Sequence, residues 1–397
     1  MRPAGEVHDE VFERVRARLL DSGSALTAAT VAEMWRAESG VAGDATVLAA
    51  LSRLRAELTG AGPLEPLLAN PDLTDVLVNG PDEVWADTGT GLVRTPVRFP
   101  DERAVRALAV RLAQRAGRRL DDASPWVDAR LPGGIRLHAV LAPVSPAGTV
   151  LSLRLARRQA FDLADLLGRG TLTEPLADAV RAVIGARLAF LVTGGTGSGK
   201  TTLLTTLLGL VGADERLVLV EDSGELAPVH PHVVRLEARP PNAEGAGEVT
   251  VRDLVRQAMR MRPDRLVVGE VRGGEVVDLL AALNTGHAGG AGTVHANSPA
   301  DVPARVEALA MAAGLDRDAA HSQLAAALQV VIHIERVRAD TLGGPSPRRH
   351  VTGVSVLERR ADGLVRVLPA VDRAGPVAGP GRERLDDLLH RAGALTC

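Results

Sequence analysis

The segment "LAFLVTGGTGSGKTTLL", residues 188–204, constrains this chain more than any other stretch. An apolar run reads as a strand, a glycine-rich turn follows, and the residues after Gly199 favour a helix. Within it Gly194, Gly199, Lys200 and Thr201 keep the spacing G-x-x-x-x-G-K-[ST]. Glycines let such a loop curl until its N–H groups point inward. The helix N-terminus adds positive potential, which makes the loop a cradle for phosphate oxygens. Of the 46 basic residues all but Lys200 are arginine, so a lysine at this one place is itself informative. A chance match is expected about once per thousand chains of this composition. The candidate nucleotide contacts are Gly194, Gly195, Thr196, Gly197, Ser198, Gly199, Lys200, Thr201 and Thr202. Lys200 is assigned to the β- and γ-phosphates of ATP, and the Thr201 hydroxyl to a Mg²⁺ ion.

Two later strand ends carry carboxylates. "RLVLVEDSGEL" ends with Glu221 and Asp222, with Glu225 close behind, and "DRLVVGEVRG" ends with Glu270. Carboxylates at the C-terminal ends of parallel strands lie where such sheets bind ligands, and there they hold Mg²⁺ or activate water. Glu270 is the candidate base. Gly269 stands where a Walker B strand usually has Asp, so Mg²⁺ is expected to rely on Thr201, phosphate oxygens, water and the "VEDSGE" acids. The segment "NTGHAGGAGTVHAN" adds His287 and His295. A metal centre is the weaker reading of this pair, because the chain's single cysteine is Cys397 and no third ligand is near.

Along the chain, residues 1–60 read as helices, and 61–157 as a small α+β domain with strands in "TDVLVNG", "EVWAD", "GLVRTPVRF", "GIRLHAVLAPV" and "TVLSLRLA". Residues 158–180 read as a linker with helical turns. Residues 181–340 alternate strand and helix as an α/β domain with a mainly parallel sheet, and 341–397 read as a hairpin and a flexible tail. The chain contains no apolar run near the roughly 18 residues that a membrane span needs. The charged N-terminus lacks a signal-peptide core, so a cytoplasmic location is expected. A net charge of −3 and 2% aromatic residues argue against a nucleic-acid grip.

Taken in order, "GAGPLEPLLANPDLTDVLVNGPDEVW", "GRRLDDASPWVDARLPGGIRLHAVLAP", "GGTGSGKTTLL", "VEDSGEL", "RMRPDRLVVGEVRGGE" and "NTGHAGGAGTVHANS" resemble motifs of the type II and type IV secretion ATPases. The resemblance is densest to the CpaF family, the TadA ATPases of tight-adherence pilus systems. It implies a RecA-like P-loop core, a PAS-like N-terminal α+β domain and a helical N-terminal extension. It also implies a hexameric ring that hydrolyses ATP with Mg²⁺, and polytopic membrane proteins as partners at the cytoplasmic face. By the same resemblance His287 and His295 form a His box near the phosphates, though Ala288 stands where the family commonly has Asp. Arg136 and Arg154 match arginines lent by the N-terminal domain, a role suited to a planar, permanently charged fork. Arg239, Arg256 and Arg260 are candidates to reach a nucleotide, the last two sharing a predicted helix face with Arg252. An alternative function is a nucleic-acid motor of conjugal transfer, since RecA-like cores serve many outputs.

Overall fold

A computed structural model describes residues 4–22, 26–39, 43–58, 60–89, 91–155, 161–241, 245–286, 288–337 and 348–393. The chain forms two compact units, residues 1–157 and 158–397.

The first unit opens with helices α1 (Ala4–Ser22), α2 (Ala28–Ser39) and α3 (Asp44–Leu58). Phe12, Val15, Val31, Trp35 and Leu54 close a separate small core among them. After a short helix α4 (Glu65–Leu68) come β1 (Asp75–Gly80), β2 (Glu83–Asp87), β3 (Leu92–Arg94), α5 (Glu102–Arg115), β4 (Trp126–Leu131), β5 (Ile135–Val140) and β6 (Val150–Arg154). The strands form one antiparallel sheet in the order β3-β2-β1-β6-β5-β4. Alternate residues such as Val76, Val78, Leu137, Ala139, Leu151 and Leu153 bury one face against Val105, Leu108 and Leu112 of α5. Strand β4 is an addition to the sequence reading. Its alternation is half hidden, because Asp128 and Arg130 fall on the open face.

The second unit contains α6 (Leu163–Gly168), α7 (Glu174–Gly185), β7 (Phe190–Gly194), α8 (Lys200–Leu208), β8 (Leu217–Glu221), β9 (Val233–Glu237), α9 (Val251–Ala258) and β10 (Arg265–Val271). It continues with α10 (Glu275–Asn284), β11 (Ala291–His295), α11 (Val302–Ala312), α12 (Arg317–Ala327), β12 (Val330–Val337), β13 (Arg348–Arg359), β14 (Val365–Asp372) and α13 (Pro380–Arg391). Among the described residues its sheet runs β14-β13-β12-β7-β11-β10-β8-β9, parallel from β12 to β9 and antiparallel at the β12–β13–β14 end. Helices cover both faces, so the central strands are apolar on both sides, as in Phe190–Leu191–Val192 and Leu217–Val220.

Two boundaries differ from the sequence reading. The expected linker 158–180 contributes Leu163, Leu166, Leu176 and Val180 to the core beneath β7, because its apolar residues recur at helical spacing. The expected hairpin beyond 341 extends the same sheet, and the tail read as flexible includes α13, which buries Leu385 and Leu389. Its Gly/Pro-rich approach, residues 374–380, hid an amphipathic helix. Among the described residues no helix is long and apolar enough to cross a membrane.

Candidate nucleotide site

Register brings the functional strand ends together. His295 on β11 lies opposite Gly194 on β7, and Val268 on β10 opposite Val220 on β8, which sets Gly269 and Glu221 at the next level. The acids and the histidine therefore sit at the sheet's C-terminal edge, beside the loop that leads into α8. Gly199 caps α8 with φ 100°, a left-handed conformation that disfavours any side chain.

Lys200 is 7% exposed, so its ammonium must be satisfied from within. Its Nζ donates to the carbonyls of Gly194 (3.1 Å) and Gly195 (2.8 Å). His295 Nδ1 is 3.5 Å away. On the other side of the ring, His295 Nε2 lies 2.5 Å from Glu270 Oε1, and Glu270 Oε2 pairs with Arg272. These partners specify the tautomer: Nδ1 accepts from the lysine and Nε2–H donates to the carboxylate. Burial and the Lys200 charge hold the His295 pKa below its ordinary value, against the pull of Glu270. Burial raises the Glu270 carboxyl, but the Arg272 hydrogen bond and the charges of Arg272 and Lys200 outweigh it, so Glu270 titrates below the usual range. Lys200, His295, Glu270 and Arg272 form one continuous line of a cation, a neutral imidazole, a carboxylate and a second cation.

Glu221 fills the place a Walker B aspartate would occupy. A Cβ on Gly269 would lie 2.7 Å from Glu221 Cγ, so glycine is needed there because the neighbouring strand's carboxylate uses the space. Glu221 Oε1 accepts from the backbone N–H groups of Glu225 (2.8 Å) and Leu226 (2.9 Å), while buried Oε2 has no hydrogen-bond partner among the described residues. Burial pushes this carboxyl up to about 7. Asp222 is exposed and Glu225 half-buried. Thr293 Oγ1 donates to the Gly269 carbonyl (2.7 Å) and pins β10 to β11.

Arg136 and Arg154 are cross-strand neighbours in the first unit, in one row with Arg130. Arg256 joins Arg252 on Asp278 (2.8 and 2.6 Å), so the predicted arginine stripe turns onto α10. Arg260 is exposed in the 3-10 turn Met259–Met261 that follows α9. Arg239 Nε donates to the Gly247 carbonyl (2.8 Å). His287 lies outside the described residues. The sequence reading missed Arg272, which follows the end of β10 and reaches back to Glu270.

A family model described as type II/IV secretion system protein matches residues 57–351. The chain belongs to that family. A Mycobacterium tuberculosis relative whose name assigns it to conjugal transfer is 60% identical over 332 residues, 82% of this chain and 92% of the relative. The type IV secretion system protein PtlH of Bordetella pertussis is 33% identical over 315 residues, 73% of this chain and 92% of PtlH. Among solved structures, the pilus retraction motor PilT with bound ADP shares the fold, with a TM-score of 0.51 at 19% identity, covering 81% of this secretion-family chain and 84% of that one.

Proposed function

We propose that this protein is a Mg²⁺-dependent ATPase of the CpaF/TadA type that works as a homohexameric ring and drives pilus assembly or protein secretion. The observation that carries the reading is the contact line from Lys200 through His295 to Glu270. The residues present fit the nucleotide and the ion. Among the described residues, buried Ser198 Oγ and Glu221 Oε2 have no hydrogen-bond partner, and the Lys200 ammonium donates to loop carbonyls beside His295, contacts that phosphate oxygens would replace. Among the described residues no cluster of three His, Cys, Asp or Glu forms an all-protein metal cage. Mg²⁺ does not need one, since it is usually held by one or two protein groups with phosphate and water. Thr201, Glu221 and Asp222 are the groups that would hold it.

When bound, Mg²⁺ neutralises phosphate charge. Lys200 binds the terminal phosphates, and Glu270 accepts a proton from the attacking water. Each Glu270 oxygen keeps a lone pair beyond the one used by His295 or Arg272. His295, neutral and bonded to both Lys200 and Glu270, couples phosphate occupancy to the position of the base. Arg136 and Arg154 add charge that turnover requires, and Arg239, Arg256, Arg260 and His287 remain candidates for contacts within the ring. The partners are polytopic membrane proteins at the cytoplasmic face.

The name of the M. tuberculosis relative favours a second reading, a motor for DNA transfer. The net charge of −3 and the 2% aromatic content favour the first. Purified protein is expected to hydrolyse ATP with Mg²⁺ and to be stimulated by vesicles carrying its membrane partners. DNA stimulation that falls steeply with salt would move the assignment to the second reading.

A further inference from the structure

The β12–β13 pair brings charge to the phosphate loop from a part of the chain that no motif covers. Strand β12 runs parallel beside β7 with His333 opposite Thr193, so the residues after His333 pass the point where β7 turns into the loop. The Ile334 carbonyl lies 2.2 Å from where a Cβ on Gly194 would stand. Two residues on, Arg336 Nη1 lies 3.8 Å from the Cβ position of Gly197. Directly opposite Arg336 in the antiparallel register is Arg349. Arg349 Nε donates to the Gly197 carbonyl (3.3 Å), and its Cδ lies 2.9 Å from the Cβ position of Gly199.

Like charges directly opposite on one face of an antiparallel pair repel each other. Arg336 is exposed and, among the described residues, takes part in no ion pair. A facing pair of guanidiniums at the rim of an anion cradle is stabilised by an anion in that cradle. The planar fork, always charged, is suited to phosphate oxygens.

We propose that the C-terminal hairpin supplies a further nucleotide-phosphate residue, Arg336, and a residue that positions the loop, Arg349. Arg336 contacts the terminal phosphates. Arg349 is a positioning residue that acts through the Gly197 carbonyl. The proposal rests on the reading of residues 194–202 as a nucleotide loop.

The test measures binding of ATP, ADP and AMP to the full chain by competition against a fluorescent ATP analogue, together with kcat and KM. Wild type, Arg336→Ala, Arg336→Lys, Arg349→Ala and Arg349→Lys are compared. Arg336→Ala should weaken ATP binding about tenfold, ADP less and AMP less than twofold, with partial recovery in the lysine variant, because a charge-assisted contact scales with phosphate charge. Arg349→Ala should lower kcat and raise KM while leaving the ATP-to-ADP preference as in wild type, and Arg349→Lys should restore part of both. If wild type binds ATP and Arg336→Ala binds it equally well, or loses ATP and AMP alike, the phosphate contact is overturned and the loop reading stands. A wild type that binds no nucleotide overturns the loop reading and this proposal with it.

Discussion

Glu221 is the residue whose setting is least like that of a surface carboxylate. It is 4% exposed, with two backbone donors on one oxygen and, among the described residues, no hydrogen-bond partner on the other. Burial raises its pKa from an ordinary 4.5 to about 7. Between these values the folded chain keeps a proton that the unfolded chain has released, so this group's contribution to stability is full below about 4.5 and lost as pH rises through 7. The amount is of order 3 kcal/mol. Glu221→Gln keeps the acceptor oxygen and removes the titration. Without nucleotide or Mg²⁺, urea unfolding should find wild type and variant similar at pH 5, and the variant more stable at pH 8; a constant difference across that range would show that Glu221 ionises normally. Gly269→Ala should cost about 1–3 kcal/mol, the usual size of an overpacked site, because its Cβ would meet Glu221. Combined with Glu221→Ala the penalty should largely vanish, as expected for two residues in contact. An additive double variant would mean the clash lies elsewhere. From sequence, Gly269 read as a missing metal ligand; that it makes room for Glu221 depends on the β8–β10 register, which no local pattern encodes.

At the level of elements, the sheet separates stability from chemistry along β10. Its last turn of sequence presents Glu270, while its first residue, Arg265, is 1% exposed at the opposite end. Arg265 binds both oxygens of Glu215 (2.9 and 2.8 Å) and the Ile184 carbonyl (2.8 Å), tying α7 to the sheet. Removing one member of a buried pair typically costs about 3–5 kcal/mol. Arg265→Ala should therefore lower unfolding stability by about that much, with turnover per folded molecule unchanged. A loss below about 1 kcal/mol would mean the pair adds little. The elements themselves were legible where periodicity was strong: the β7–loop–α8 unit and the strands ending in Glu221, Glu270 and His295 follow from apolar runs bounded by Gly or acids. Strand β4 and helix α13 were not, since one carries Asp128 and Arg130 on its open face and the other follows a Gly/Pro approach. Arg336 and Arg349 were invisible for a different reason. They reach the loop through a strand pairing 140 residues apart in sequence, as at Thr193 and His333.

For the whole molecule, the question is what the first unit adds. A fragment starting at residue 161 keeps Phe161, whose carbonyl accepts from Thr206 Oγ1 (2.8 Å), together with the buried Leu163 and Leu166. It should fold and bind nucleotide, yet turn over far more slowly than the full chain, because Arg136 and Arg154 are gone. Full specific activity in the fragment would remove those arginines from the mechanism. Glu270→Gln in the full chain asks whether Glu270 is the base of an ATP-hydrolysing site. The amide keeps an oxygen for the Nε2–H of His295 and loses the ability to take a proton. ATP affinity in Mg²⁺ should stay within about threefold of wild type, while turnover falls by roughly 10²–10⁴-fold, the usual worth of a positioned base. Turnover within threefold of wild type at unchanged affinity would mean that Glu270 is not the base.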